Sequence, residues 1–455
     1  MRTRKAGRSK AFCVAMAVIF LSVSVSCSDG EKPSPYENTE PDHPLDLSFV
    51  FSGAEINSEP LEELFYQVIA GYNDSNPYQD AVHMAIYPEH LISKFGTPPS
   101  LEAPPDLECM RVFIRDYLET ERYIPLNSYL EQDAEWSSSF RDGVFDFAIY
   151  DGDILQIPLL NAYDCVFYNT ELFERAGIHA DKIHSWDDFL AACEALKQAG
   201  VIPIAVSCQN PEEMSSFFSY LVLRLGGAEP VRELAFCNEG ATFEQECFLR
   251  SGRIIREMVE KGYVQPQLLE DARFNARQRF QSGEAAMYCG STSEIPAFYG
   301  EQSVVAGKVG VLPFPAVQTG NAVSGQWIGG VQALSIGKRN AYPERTVELI
   351  QHLTSEEVQR AIMEDYGYIP AVNITGDTSK IKPELLQVDA LSNRGQSGTF
   401  PALEAQFGEA LAFKWWKAVR NIIGGWQSPE EAFHEAQKGY CALKEQGEIG
   451  SFETT

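Results

Sequence analysis

Asp164 has the most demanding setting of any residue in this chain. It is a carboxylate inside the apolar run Ile157-Pro158-Leu159-Leu160-Asn161-Ala162-Tyr163-Asp164-Cys165-Val166-Phe167. A carboxylate buried in such surroundings needs partners, so it either meets a ligand or ties the structure together. Trp327 poses a similar question, because it sits just before Gly329-Gly330, where a large ring faces a ligand or packs between the halves of the fold. Groups for covalent chemistry are missing from their usual spacings. Gly395-Gln396-Ser397-Gly398 is one residue short of a G-x-S-x-G elbow. There is no H-E-x-x-H, Walker A or G-x-G-x-x-G segment. His43, His83, His90, His179, His184, His352 and His434 are dispersed, and the cysteines form no C-x-x-C pair, so neither a metal site nor a cofactor is expected. Cys237 and Cys247 either bridge a loop or stay free. With 64 acidic residues, a glycosidase-type carboxylate pair stays open as an alternative.

At 455 residues the chain is too long for one ordinary core, and two lobes are expected. Its 44% hydrophobic and 11% aromatic content is that of a globular protein. Arg2, Arg4, Lys5, Arg8 and Lys10 precede the apolar stretch from Ala11 to Val25, and Ser24-Val25-Ser26-Cys27 follows where a signal peptide is cut. Residues 1–26 therefore read as a signal peptide, of the ordinary secretory kind or of the lipoprotein kind with Cys27 as the acylated first residue. Ser24 stands where a lipobox usually has Leu. Residues 27–44, polar and rich in Pro, read as a tether. No other segment offers the roughly 20 uninterrupted apolar residues of a membrane-spanning helix. Removing residues 1–26 leaves 31 basic against 64 acidic side chains, which argues against nucleic acid or anionic lipid as partner.

Periodicity predicts a strand over Leu45–Ser52, an amphipathic helix over Pro60–Tyr72 and a strand over Val82–Tyr87, a right-handed crossover in a mostly parallel sheet. A helix is expected from Asp106 to about Arg122, and strands over Phe145–Tyr150 and Val201–Val206. Helices are expected from Phe217 to Arg224, from Pro343 to Leu353, after a Thr354 cap with Glu357, and around Trp415–Ile423. A final helix has Ser428 as N-cap, Pro429 at N1 and Glu431 completing the box. The segment from Ile157 to Leu190 reads as a strand ending in Tyr168-Asn169, a short helix closed by Gly177, and a second helix opened by a Ser185–Asp188 capping box.

That segment resembles the extracellular solute-binding proteins of bacterial ABC importers, in the branch that carries sugars. There a P…YN-x-x-x-F-x-x-x-G…TWxEF run leads out of the hinge into the second lobe. Further blocks follow in the same order: Gly283-Glu284-Ala285-Ala286-Met287, Val309-Gly310-Val311-Leu312-Pro313-Phe314-Pro315 and Gly329-Gly330-Val331-Gln332-Ala333-Leu334-Ser335-Ile336. The resemblance runs from about Leu45 to Cys441.

It implies an α/β, two-lobed periplasmic-binding-protein fold of type II, each lobe a mostly parallel sheet flanked by helices, with a hinge of crossing segments. Lobe 1 would comprise residues 45–159 and 322–366, and lobe 2 residues 160–321 and 367–455. The implied function is capture of a carbohydrate by hinge closure and delivery to an ABC permease, by a monomer anchored outside the cytoplasmic membrane. A non-sugar solute, service to a sensor, or a secreted carbohydrate-active hydrolase are the alternatives. A sugar site uses aromatic plates for ring faces and polar side chains for hydroxyls. On the match Trp416 is such a plate and Trp415 is core, or the two exchange roles, since neighbours on a helix point about 100° apart. Phe217 falls where maltose-binding relatives have a stacking Tyr, or is core. Glu55 follows the first strand in a loop used for hydroxyls, or is a solvated surface residue. Arg111 stands where those relatives carry polar ligand groups, and Asn161, Tyr163 and Asp164 line the hinge entry. Cys289-Gly290-Ser291-Thr292 replaces an N-G-x-W block, so an aromatic plate is missing at Thr292, and Ser291 beside it is the expected ligand contact.

Overall fold

The computed structural model describes residues 43–54, 59–88, 105–111, 122–145, 148–150, 152–209, 214–317, 327–392 and 399–449. Alternation places Leu47, Phe49 and Phe51 on the buried side of strand β1 (Asp46–Ala54). Helix α1 (Glu59–Ser75) lays Leu61, Phe65 and Ile69 into the same core, and the chain returns as β2 (Ala81–Pro88), parallel to β1. β3 (Leu107–Arg111) pairs with β1 on its other side, also in parallel. The expected helix from Asp106 is therefore a strand at its start. Leu107 and Cys109 are buried on one face and Glu108 on the other, and so short a segment has no period that separates the two structures. Residues 112–121 lie outside the described residues. Of the strand expected over Phe145–Tyr150, Ile149–Tyr150 form β4, which makes a small hairpin with β5 (Asp153–Ile154), and residues 146 and 147 lie outside the described residues.

β6 (Ile157–Asn169) is the longest strand described and runs from one core into another. It is followed by α2 (Thr170–Arg175), capped by the Asn169 side chain, and by α3 (Trp186–Gln198) with the expected Ser185–Asp188 box. Then come β7 (Ile202–Ala205), α4 (Ser215–Gly226), α5 (Glu246–Glu260), β8 (Ala285–Ser291), β9 (Val309–Leu312) and β10 (Trp327–Ile336). The last part holds α6 (Pro343–Leu353), α7 (Glu356–Tyr366), α8 (Pro383–Ser392), β11 (Thr399–Pro401), α9 (Glu409–Gly424) and α10 (Pro429–Gln446). Ser428 caps α10 as expected. The cap of α7 is Ser355 rather than Thr354, whose hydroxyl instead donates to the Ile350 carbonyl at 2.8 Å.

The strands form one sheet in the order β2-β1-β3-β10-β6-β8-β7, with β11 on β10 and β9 on β6. Pairing is parallel at its ends (β1 with β2 and β3, β7 with β8) and antiparallel where β10 meets β3 and β6, and where β6 meets β8 and β9. Three large hydrophobic clusters flank it, with a small fourth of Ala148, Val331 and Ala333. One gathers Phe49, Phe51, Phe65, Leu107, Leu334, Ile350 and Ala371. A second gathers Trp186, Phe217, Phe218, Phe248, Trp415 and Phe433. The third, around Phe167, Tyr288, Phe298, Ile369 and Leu385, lies along β6 and β8. β6 and β10 supply residues to the three large ones, and a third segment crosses beside them where Ile369 donates to the Asn161 carbonyl at 2.7 Å. Cys237 and Cys247 are free thiols, as are the other six described cysteines.

Candidate functional site

Residues paired directly across antiparallel strands share a face, and every second residue along a strand returns to it. Gly330 is paired with Ala162, Gln332 with Leu160, and Asp164 with Ser291. Arg111 stands opposite Gln332 from the other side. Gln332 with Leu160, Gly330 with Ala162, and Asp164 with Ser291 thus line up on one face, beside the Arg111 main chain at the end of β3 and reaching the end of β8. Burial follows the alternation. Ala162 and Asp164 are partly exposed between the buried Asn161, Tyr163 and Cys165, and Gly330 is the partly exposed residue in an otherwise buried β10. The strip also crosses the carboxyl ends of β3 and β8, the edge at which open α/β sheets receive ligands.

Asn161 and Tyr163 fall on the opposite face. Asn161 is 1% exposed; its Nδ2 donates to the Ile369 carbonyl at 3.1 Å, while its Oδ1 has no donor. The Tyr163 ring lies 6.0 Å from that of Trp327, both are buried, and the Tyr163 N–H donates to Thr292 Oγ1. Trp327 is therefore a packing residue behind the strip. Phe217 is 1% exposed, edge-on to Trp186 and Phe314, and offers no ring face to a ligand. Ser291 caps the 3-10 turn that follows it, its hydroxyl 2.9 Å from that of Ser293. Glu55 lies outside the described residues, and of Arg111 the main chain is described.

The strands part beyond the Gly329–Tyr163 pair, and α4 fills the gap. Tyr220 Oη donates to the Asp164 carbonyl at 2.7 Å and accepts from the Ile328 N–H at 3.0 Å. Burial, then the neighbouring charges of Cys165 and Asp164, hold this phenol well above its usual pKa, so it stays a donor.

Past the end of β7, Arg420 on α9 donates to the Cys208 and Gln209 carbonyls at 3.1 and 2.9 Å. One and two turns earlier on the same side of α9 stand Trp416 and Phe413. Their rings meet edge to face at 5.4 Å and 82°. Phe413 is 57% exposed, and Trp416 is half-buried with an indole N–H that finds no acceptor. Trp415 points the other way, fully buried, its Nε1 donating to Ser215 Oγ at 2.8 Å. Ala162, Gly330, Gln332 and Phe413 were missed from the sequence. The strand alternation around Asp164 and the three-residue spacing from Trp416 were the signals for them. Among the described residues no three His, Cys, Asp or Glu side chains gather as metal ligands.

Comparison with known proteins places these features in a family. Residues 102–384 match the model of the bacterial extracellular solute-binding proteins, and the chain belongs to that family. A binding protein of Brucella abortus (strain 2308) is 20% identical over 336 residues, 73% of this chain and 76% of its own length. Among solved structures, a chitin oligosaccharide binding protein superposes with a TM-score of 0.74 at 19% identity, over 88% of this chain and 98% of its own. A maltose-bound protein of T. maritima superposes at 0.68 with 17% identity, over 88% and 100%. The fold is that of the two-lobed solute-binding proteins.

Proposed function

We propose that this protein is an extracytoplasmic receptor that captures a carbohydrate in the cleft over the β6–β10 strip and hands it to an ABC permease. The observation that carries the reading is the strip itself: Gly330, Ala162 and Asp164 form a partly exposed line of small and polar residues on strands shared by two cores, with an aromatic pair on α9. Small and polar groups suit hydroxyl edges, and Trp416 with Phe413 suits a ring face. The action is binding and closure of residues 45–159 and 322–366 against 160–321 and 367–455, with no covalent step. Likeness to a chitin oligosaccharide binding protein and a maltose-bound protein supports a sugar over other solutes. The protein works as a monomer, held at the membrane through Cys27.

A ligand that binds the folded state raises the melting temperature by mass action. A thermal-shift panel of mono- and oligosaccharides beside non-sugar solutes tests the reading. A saccharide should raise the melting temperature and be recovered uncleaved; a panel answered only by non-sugars, or cleavage products, would overturn it.

A further inference from the structure

Gly329 and Gly330 are neighbours, yet the fold requires only one of them. A Cβ on Gly329 would collide with the Ala162 carbonyl and come within 2.9 Å of the Tyr163 ring. At Gly330 a Cβ would meet nothing within 4 Å, and its φ is not in the left-handed range, so both backbone and space would take an L side chain. A glycine inside a strand weakens it and often marks a close approach to the backbone. The directly opposed residue is Ala162, and both are partly exposed. Two residues along on the same face, Gln332 is buried and its Oε1 accepts from no donor. A buried acceptor of that kind is stabilised when a donor reaches it.

We propose that the Gly330–Ala162 pair is the floor of the ligand site, left bare so that one ring of the ligand lies against the main chain of β6 and β10. Gln332 Oε1 accepts a hydrogen bond from a hydroxyl of that ring. The side chain at position 330 thereby sets how thick a ligand the cleft admits. The inference rests on the carbohydrate reading above and adds where the ring sits and which group it must present.

The test uses the mature protein with maltose, galactose, chitobiose, xylobiose and a set of amino acids, polyols and short peptides, by thermal shift and then calorimetry. Gly330→Val should keep or raise the ligand-free melting temperature, since Val suits a strand. It should weaken the best solute about 10- to 200-fold, the scale on which a pocket rejects added methyl groups. Gln332→Met, close in size but without the acceptor, should keep the ligand-free melting temperature and cost about tenfold in affinity. Gly329→Ala, by contrast, should lower the melting temperature. Wild-type affinity in Gly330→Val overturns the proposal, and so does a Gly330→Val chain that fails to fold, because the glycine would then be structural. If only a non-sugar shifts the wild type, the carbohydrate reading fails and that solute becomes the probe for the floor. Silence across the whole set counts against both.

Discussion

The Tyr220 hydroxyl donates to the main-chain carbonyl of Asp164, standing in for a ladder bond where β6 and β10 separate. The same oxygen takes the Ile328 N–H, so one side chain satisfies a main-chain group on each strand. Tyr220→Phe removes both hydrogen bonds in a buried place, and about 1–3 kcal/mol of stability should be lost. Urea denaturation measures it; an unchanged midpoint would mean that the strands close up on their own.

Trp415 and Trp416 are neighbours with different duties. Trp415→Ala removes a fully buried ring and should cost about 3–5 kcal/mol of stability. Trp416→Ala should leave the fold largely intact and weaken the bound saccharide by about 1 kcal/mol. Calorimetry and thermal melting on the two variants separate the effects, and the reverse outcome would exchange their roles.

The Ser185–Asp188 box predicts a pH dependence. Hydrogen bonds from the Ser185 hydroxyl and from the Ser185 and His184 N–H groups hold the Asp188 carboxyl below its usual range. A depressed carboxylate adds stability above its unfolded pKa, and that stability is lost as pH falls through the folded value. Ser185→Ala should therefore melt earlier than wild type at pH 7. The gap should narrow below about pH 3.9, the ordinary Asp value. Thermal melts across pH 7 to pH 2 check the sign.

Thiol chemistry should be confined to one position. Of the eight described cysteines, Cys441 is exposed and the others are buried or half-buried. Burial pushes the Cys247 thiol up to about 12 and the Cys193 thiol higher still. A thiol reagent should find one fast site among these eight, absent in Cys441→Ser, and dithiothreitol should not move the melting temperature. A shift with reductant would reveal a disulfide.

Cys27→Ala should move the protein from the membrane fraction to the soluble envelope fraction. Retention with membranes would reject lipid attachment at that residue.

Motif order and helix caps made the architecture legible, because capping boxes and glycine stops are local chemistry that survives without tertiary context. Ser185 and Ser428 stand where such reading puts them. The strand at Leu107 was hidden because burial on both faces removes its period. Site residues were harder. Asn161, Tyr163 and Asp164 look like one group in sequence, but a strand sends Asn161 and Tyr163 to one side and Asp164 to the other. Phe217 could not be separated from a ligand plate by residue type, since aromatic rings serve cores and sugars alike; its place beside Trp186 and Phe314 decides. Gly330 was visible only as half of a family motif, and its difference from Gly329 exists only once Ala162 and Tyr163 are in place.

The way the chain threads its sheet also governs when it can become a folded body. β3 has β1 on one side and β10 on the other, and the core around Phe49 and Phe65 takes Leu334, Ile336, Ile350 and Val372 from far downstream. During synthesis, the first part of the chain therefore waits for more than half of the remainder before its apolar surface is covered. Contacts so distant along the chain form slowly. A polypeptide that must pass through a narrow channel before it settles gains from that delay, because it stays threadable until its last crossing segment emerges.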